Sequence, residues 1–156
     1  MRIKSLFLRL FTYDLWANRR VYASLAELNA PPAKAVEWLG HALQTQQFVL
    51  DVLHLRDGSY LNDAPDLTYA ECSEWIERLG KEWPEYLAER TEEELAGEIE
   101  YRNSRGVMSK RKVTDLLFHA INHSTYHRAQ IALAVREAGG TPASSDFSDF
   151  AYDMSA

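Results

Sequence analysis

The chain has 156 residues, enough for one domain that buries a hydrophobic core without disulfide bonds. Its 17 basic and 23 acidic residues leave a formal net charge of −6, which argues against the basic surface that binding to a nucleic-acid backbone requires. The single cysteine and the absence of any apolar run near the roughly 20 residues that span a bilayer predict a cytoplasmic protein without disulfides or a membrane partner.

The first half of the chain has the periodicity of two amphipathic helices. From Ile3 to Leu28 apolar residues recur every three or four positions, which is typical of a helix that buries one face. Pro31-Pro32 is expected to separate this helix from the next, because proline disfavours helix in the preceding residue but fits a first turn. A second helix is predicted from about Ala33 to Arg56, closed by Asp57-Gly58-Ser59.

Two capping signals organise the middle of the chain. Thr68 followed by Glu71 matches a capping box, which predicts the start of a third helix, and Pro84 is expected to kink that helix. A second box, Thr91 with Glu94, is expected to open a short helical turn. Residues 98–112 then alternate polar and apolar around turn residues, which predicts a small hairpin or an extended connection.

A last helix is predicted from Val113 to Ala138, with Gly139-Gly140 beyond its end. One of its stripes carries His123 and His127 among apolar residues, so the three histidines of this helix, His119 included, are expected to face inward. Four amphipathic helices without an internal repeat predict an all-α fold, a single-domain antiparallel four-helix bundle over residues 1–156 with one longer crossover. The tail from Thr141 is expected to wrap the bundle or to form a dimer contact.

Three of the five histidines, His119, His123 and His127, form a ladder on one helix face, since four residues advance an α-helix by about 400°. The outer two lie about 12 Å apart along the axis, so only an adjacent pair can bind one ion, and the spacing leaves both pairs open. A further ligand has to come from another helix. His41 and His54 lie on different sides of the second helix, and His41 shares the inward-facing side, so we select His41.

Four segments spread over nearly the whole chain resemble the DinB-like (DinB/YfiT) family. The most specific is the pattern Asn-His-x-x-x-His-Arg-x-Gln in the last helix. In chain order the segments are Tyr13-Asp14-Leu15-Trp16-Ala17-Asn18, Leu39-Gly40-His41, Asn122-His123-Ser124-Thr125-Tyr126-His127-Arg128-Ala129-Gln130, and Gly139 through Asp146-Phe147. The resemblance implies a four-helix bundle, a homodimer, and a divalent ion held by one histidine of the second helix and two of the last.

Carried over residue by residue, the resemblance implies His41, His123 and His127 as the metal ligands, with His119 as their neighbour. Around them we expect a set of supporting or pocket residues: His119, Gln44, Asn122, Tyr126 and Arg128. Arg128 is interpreted as a surface salt-bridge residue or a contact to the tail, for example to Asp146.

Three other positions bear on the resemblance or on the expected chemistry. Ala129 stands where the family commonly has glycine, and alanine is the better helix former. Gln46 stands where many members are expected to have an acid, which bears on the chemistry rather than on the metal. Cys72, close to a predicted helix start, is expected to be mildly acidic, but no base is placed beside it.

Three histidine ligands with a fourth position open are the pattern of a catalytic metal site. The resemblance implies a thiol transferase, which moves a low-molecular-weight thiol such as bacillithiol or mycothiol onto an electrophilic small molecule. The alternatives are a metal-dependent hydrolase and a non-catalytic metal-binding protein of stress response. Zinc or nickel is the expected ion, followed by iron, manganese or copper, because imidazole suits several of these metals.

Overall fold

The computed structural model of the protein describes residues 2–54 and 63–155. Its elements are, in chain order, α1 (Ile3–Ala26), α2 (Ala33–Leu53), α3 (Tyr69–Glu89), α4 (Glu92–Ala96), β1 (Glu98–Arg102), β2 (Met108–Lys112), α5 (Val113–Glu137) and α6 (Phe147–Asp153). The second helix thus ends at Leu53, and the stop predicted at residues 57–59 lies outside the described residues.

The four long helices form the predicted bundle. Each packs against two others, so that α1, α3, α2 and α5 follow one another around a closed ring. Their apolar stripes meet in one core, in which the rings of Phe11 and Trp83 stack with centroids 3.9 Å apart. No helix in the described part of the chain is long and apolar enough to cross a membrane.

Local sequence signals account for three of the helix ends. Both predicted capping boxes form, with Thr68 capping α3 and Thr91 capping α4. Gly139 takes a φ of 81° just beyond α5, a left-handed conformation that glycine adopts without steric cost. Pro84 lies inside α3, which continues to Glu89, so the proline does not end the helix.

The crossover between α3 and α5 contains the predicted hairpin. Strands β1 and β2 pair antiparallel, with Glu98 opposite Lys112 and Arg102 opposite Met108. The hairpin leads directly into α5, because the backbone N–H of Val113 donates to the carbonyl of Gly97 at 3.0 Å.

The C-terminal tail lies against α1. Phe150 of α6 is 2% exposed and packs edge-on to the rings of Tyr13 and Trp16. The hydroxyl of Tyr13 also donates to the carbonyl of Ser145 at 2.8 Å. The tail therefore wraps the bundle, which is the first of the two arrangements expected for it.

Candidate metal centre

Three histidines from two helices meet at one edge of the bundle. His41 comes from α2 and His123 and His127 from α5, and one ligand atom of each lies within 4.8 Å of the others. The Nε2 atoms of His123 and His127 are 3.2 Å apart. Two nitrogens bound to one tetrahedral ion at about 2.0–2.1 Å lie about 3.3 Å apart, so this pair already has the required separation. The three residues could hold a divalent metal ion.

A hydrogen bond to Gln130 fixes the orientation of the His127 ring. Its Nδ1 lies 2.7 Å from the side-chain oxygen of Gln130, one turn further along α5. Because an amide oxygen can only accept, Nδ1 carries the proton and Nε2 keeps its lone pair on the side of the other two histidines. Gln130 is the last residue of the Asn-His-x-x-x-His-Arg-x-Gln pattern, but no role was assigned to it, although its spacing of three residues from His127 places it on the same helix face.

The environment of the site favours the neutral form of the two histidines of α5. Burial lowers the pKa of His123 to about 4, and the neighbouring His127, His41 and His119 contribute to the same shift. Burial also lowers the pKa of His127, although the hydrogen bond from its ring to Gln130 raises it in part. Neutral imidazole is the form that binds metal, so near neutral pH His123 and His127 do not have to lose protons first.

The site lies at the rim of the bundle and not in its interior. His127 is buried, His123 is half-buried and His41 is exposed. The expectation that the ladder faces inward is therefore wrong for His119, which is exposed and stands outside the group of three. The expected inward position of His41 is wrong for the same reason. The position of a residue on its helix sets the direction in which its side chain points. Whether that side chain is buried also depends on how far the neighbouring helix extends over it.

The other expected pocket residues take different positions. The ring of Tyr126 is 63% exposed and lies edge-on to His127, with centroids 5.3 Å apart. Asn122 is exposed on the outer side of α5. Gln44 is buried, and its amide donates to the carbonyl of Pro65 at 2.7 Å. Of these three, only Tyr126 contacts one of the clustered histidines through its side chain.

Arg128 is neither a surface residue nor a contact of Asp146, so both expectations for it are wrong. Its side chain is 2% exposed, and its Nη1 lies 2.5 Å from the carboxylate of Asp14 on α1. The same guanidinium donates to Asn18, Tyr13 and Thr125. Burial alone would lower the pKa of Arg128, but the charge of Asp14 and the interactions with Asp14 and Tyr13 together outweigh it, and the net shift is upward.

Gln46 belongs to this buried network. Its side-chain nitrogen donates to Asp14 at 2.6 Å and to the hydroxyl of Ser124 at 2.8 Å, while its oxygen accepts from the indole of Trp83 at 2.8 Å. All of its polar atoms are therefore satisfied by groups other than the clustered histidines. In this chain, position 46 connects four helices inside the bundle.

The sequence did contain a signal for the network. Asp14 and Asn18 lie four residues apart on the apolar stripe of α1, where a polar residue needs a buried partner.

The expectation of a mildly acidic Cys72 is wrong. That side chain is fully buried, and burial raises its pKa to about 11, so Cys72 is an inert core thiol near neutral pH.

Comparisons with known proteins agree with this architecture. The model of the DinB family matches residues 4–154. The chain is 28% identical over 158 aligned positions to Protein DinB of Bacillus subtilis (strain 168), covering 89% of this chain and 90% of that protein. The crystal structure of a DinB-like protein from Bacillus cereus ATCC 10987 is similar in fold, with a TM-score of 0.67 and 20% identity over 88% of this chain and 94% of that one. The chain belongs to the DinB family.

Proposed function

We propose that the protein is a metal-dependent enzyme whose ligands are His41, His123 and His127. The observation that carries the proposal is the convergence of these three residues at an edge of the bundle. No fourth metal-binding side chain joins the group within the described residues. Structural zinc sites normally have four protein ligands, whereas catalytic sites have three and keep one position for substrate. Zinc or nickel is the proposed ion, with iron, manganese or copper next.

A divalent ion in such a site supplies Lewis acidity that lowers the pKa of a thiol or a water molecule placed in the open position. The residues of the chain set the conditions for this chemistry. Gln130 holds the ring of His127 in one tautomer, and the exposure of His41 leaves the site accessible from solvent. The exposed ring of Tyr126 offers an uncharged surface beside it.

The proposed reaction is the transfer of a low-molecular-weight thiol, such as bacillithiol or mycothiol, to an electrophilic small molecule. The thiol loses its proton to solvent and its sulfur forms a bond to the electrophilic carbon. The leaving group departs with the bonding electron pair. The support for a thiol in place of water is the resemblance of the chain to DinB-like thiol transferases.

The ligand assignment predicts the metal content of three single variants. Untagged protein is expected to bind one equivalent of divalent metal by elemental analysis. His41→Ala and His123→Ala are expected to lose it, because each removes one of three ligands. His54→Ala is the matched control, since His54 lies at the end of α2 against Leu50 and Tyr86 and should leave the metal in place. Stoichiometric metal in both His41→Ala and His123→Ala would refute the assignment.

The choice of thiol over water predicts a spectroscopic change. Cobalt-substituted protein is expected to develop a sulfur-to-cobalt charge-transfer band when a low-molecular-weight thiol is titrated in, because the thiol occupies the open position. The S-methylated form of the same thiol, which cannot become a thiolate, is the control and should leave the spectrum unchanged. No change with any thiol would favour hydrolysis or a non-catalytic metal site.

A further inference from the structure

His119 stands one helical turn before the metal centre and is close to it. Its ring centroid lies 5.3 Å from that of His123. This separation is nearly the 5.1 Å that divides His41 from either of its two partners in the centre. The rings of His119 and His41 therefore lie at similar distances from the ring of His123, and along α5 His119 and His127 lie on opposite sides of His123.

The side chain of His119 is also uncommitted. Among the contacts of the described residues it has the ring contact with His123 and no hydrogen bond. The ring nitrogens of His127 and His54, by contrast, are held by Gln130 and by the carbonyl of Leu50. An exposed imidazole whose nitrogens have no hydrogen bond within the described part of the chain is available to an ion arriving from solvent.

Exposure changes in one direction along the ladder. His119 is exposed, His123 is half-buried and His127 is buried. Each successive pair is separated by four residues, the spacing at which two histidines of one helix can grip a single ion. His123 belongs to both pairs, so it can remain bound while the other ligands are exchanged.

We propose that His119 and His123 form an entry site, where a divalent ion binds first before it passes to His41, His123 and His127. The proposal rests on the proposed function, because the ion's final position is the three-histidine centre. In the transfer the bond to His119 breaks and bonds to His41 and His127 form, while His123 stays a ligand and no electrons are exchanged. Held by the first pair, the ion is at high effective concentration beside the centre.

This role has a distinct signature in the rate constants. His119 is not a ligand of the final site, so its removal leaves the affinity of that site unchanged. An ion that binds through the entry site also dissociates through it, because association and dissociation follow the same path. Loss of His119 therefore slows association and dissociation by the same factor, whereas loss of a final ligand raises Kd.

The test uses stopped-flow absorbance of cobalt binding to metal-free full-length protein. His119→Gln is expected to lower both the association and the dissociation rate constants by about 10-fold, with Kd unchanged within about 2-fold. Dissociation is measured with a strong chelator and extrapolated to zero chelator. His54→Gln is the matched control and should show the parental rates, while the exposure of position 119 leaves folding intact.

Two outcomes overturn the entry site while leaving the proposed function standing. Unchanged rate constants in His119→Gln would mean that ions reach the centre without this residue. A raised Kd with an altered cobalt spectrum would mean that His119 is a ligand of the final site. If the parent protein binds no cobalt, or if His41→Ala binds it as tightly as the parent, the three-histidine assignment itself fails and the entry site fails with it.

Discussion

Replacing Arg128 with leucine is expected to lower the free energy of unfolding by about 3–5 kcal/mol. The reason is that the carboxylate of Asp14, only 4% exposed, would remain buried without its cationic partner. The amides of Asn18 and Gln46 still donate to Asp14, but neither carries a charge that balances it. The measurement is urea unfolding of metal-free protein followed by circular dichroism.

A double-mutant cycle separates the cost of the unpaired buried charge from the cost of lost packing. Asp14→Asn with Arg128→Leu is expected to cost less than the sum of the two single variants, because the pair removes the uncompensated charge. The ion pair of Arg19 with Glu77 also joins α1 to another helix, but both side chains are about half exposed. Arg19→Leu should therefore cost less than about 1 kcal/mol. Equal losses at the two sites would contradict a special role for burial.

The network also bears on the metal centre, because it sets how α5 sits in the bundle. Ser124 follows His123 and Arg128 follows His127, and both are fully buried and bonded to groups of other helices. Consecutive residues differ by about 100° around a helix, so holding one face inward directs the histidines toward the rim. The buried polar contacts and the position of His123 and His127 at the rim are thus two consequences of one helix rotation.

The fold could be predicted from local signals because those signals act over one or two helical turns. Apolar spacing marked the four long helices, and the hydroxyls of Thr68 and Thr91 marked two helix starts with their own capping partners. Gly139 marked an end because few other residues accept its positive φ. None of these inferences requires knowledge of which helices are neighbours.

The site was less accessible from the sequence, because it depends on contacts between distant segments. Spacing alone left two adjacent pairs of the ladder open, and the resemblance to the DinB-like family implied His123 with His127. The structure groups that pair with His41 and leaves His119 outside the group. The partner of Arg128 could not be identified for the same reason, since it lies 114 positions away on α1.

A single carboxylate at position 46 is expected to make folding strongly dependent on pH. In Gln46→Glu an oxygen would replace the nitrogen that now donates to Asp14 at 2.6 Å. The hydroxyl of Ser124 cannot compensate, because it already donates to the carbonyl of Ala120. Two carboxylates in one buried site cannot both be charged, so the introduced carboxyl group would have to stay protonated in the folded state. Its folded-state pKa would then lie well above the value of about 4.3 in an unfolded chain.

A raised folded-state pKa determines the direction of the effect. The folded variant holds a proton that the unfolded chain releases above about pH 4.3. The free energy of unfolding of Gln46→Glu, compared with that of the parent, is therefore highest at low pH. This relative free energy of unfolding falls by about 1.4 kcal/mol per pH unit as pH rises, until the folded-state pKa of the introduced carboxyl group is reached. Between about pH 4.5 and about pH 7 the difference from the parent should grow by about 3 kcal/mol.

The parent protein has its own dependence on pH, which has the opposite sign. The pKa of His123 is lowered to about 4 in the folded state, so the parent loses stability as pH falls from about 6.5 toward 4. Both proteins share that dependence, and it cancels when their free energies of unfolding are subtracted at each pH. Gln46→Met is the control, since it removes the hydrogen bonds of the Gln46 amide without adding a titratable group and should differ from the parent by a constant amount. A constant difference for Gln46→Glu as well would show that its carboxylate is not confined beside Asp14, and that the helices separate locally to let water reach it.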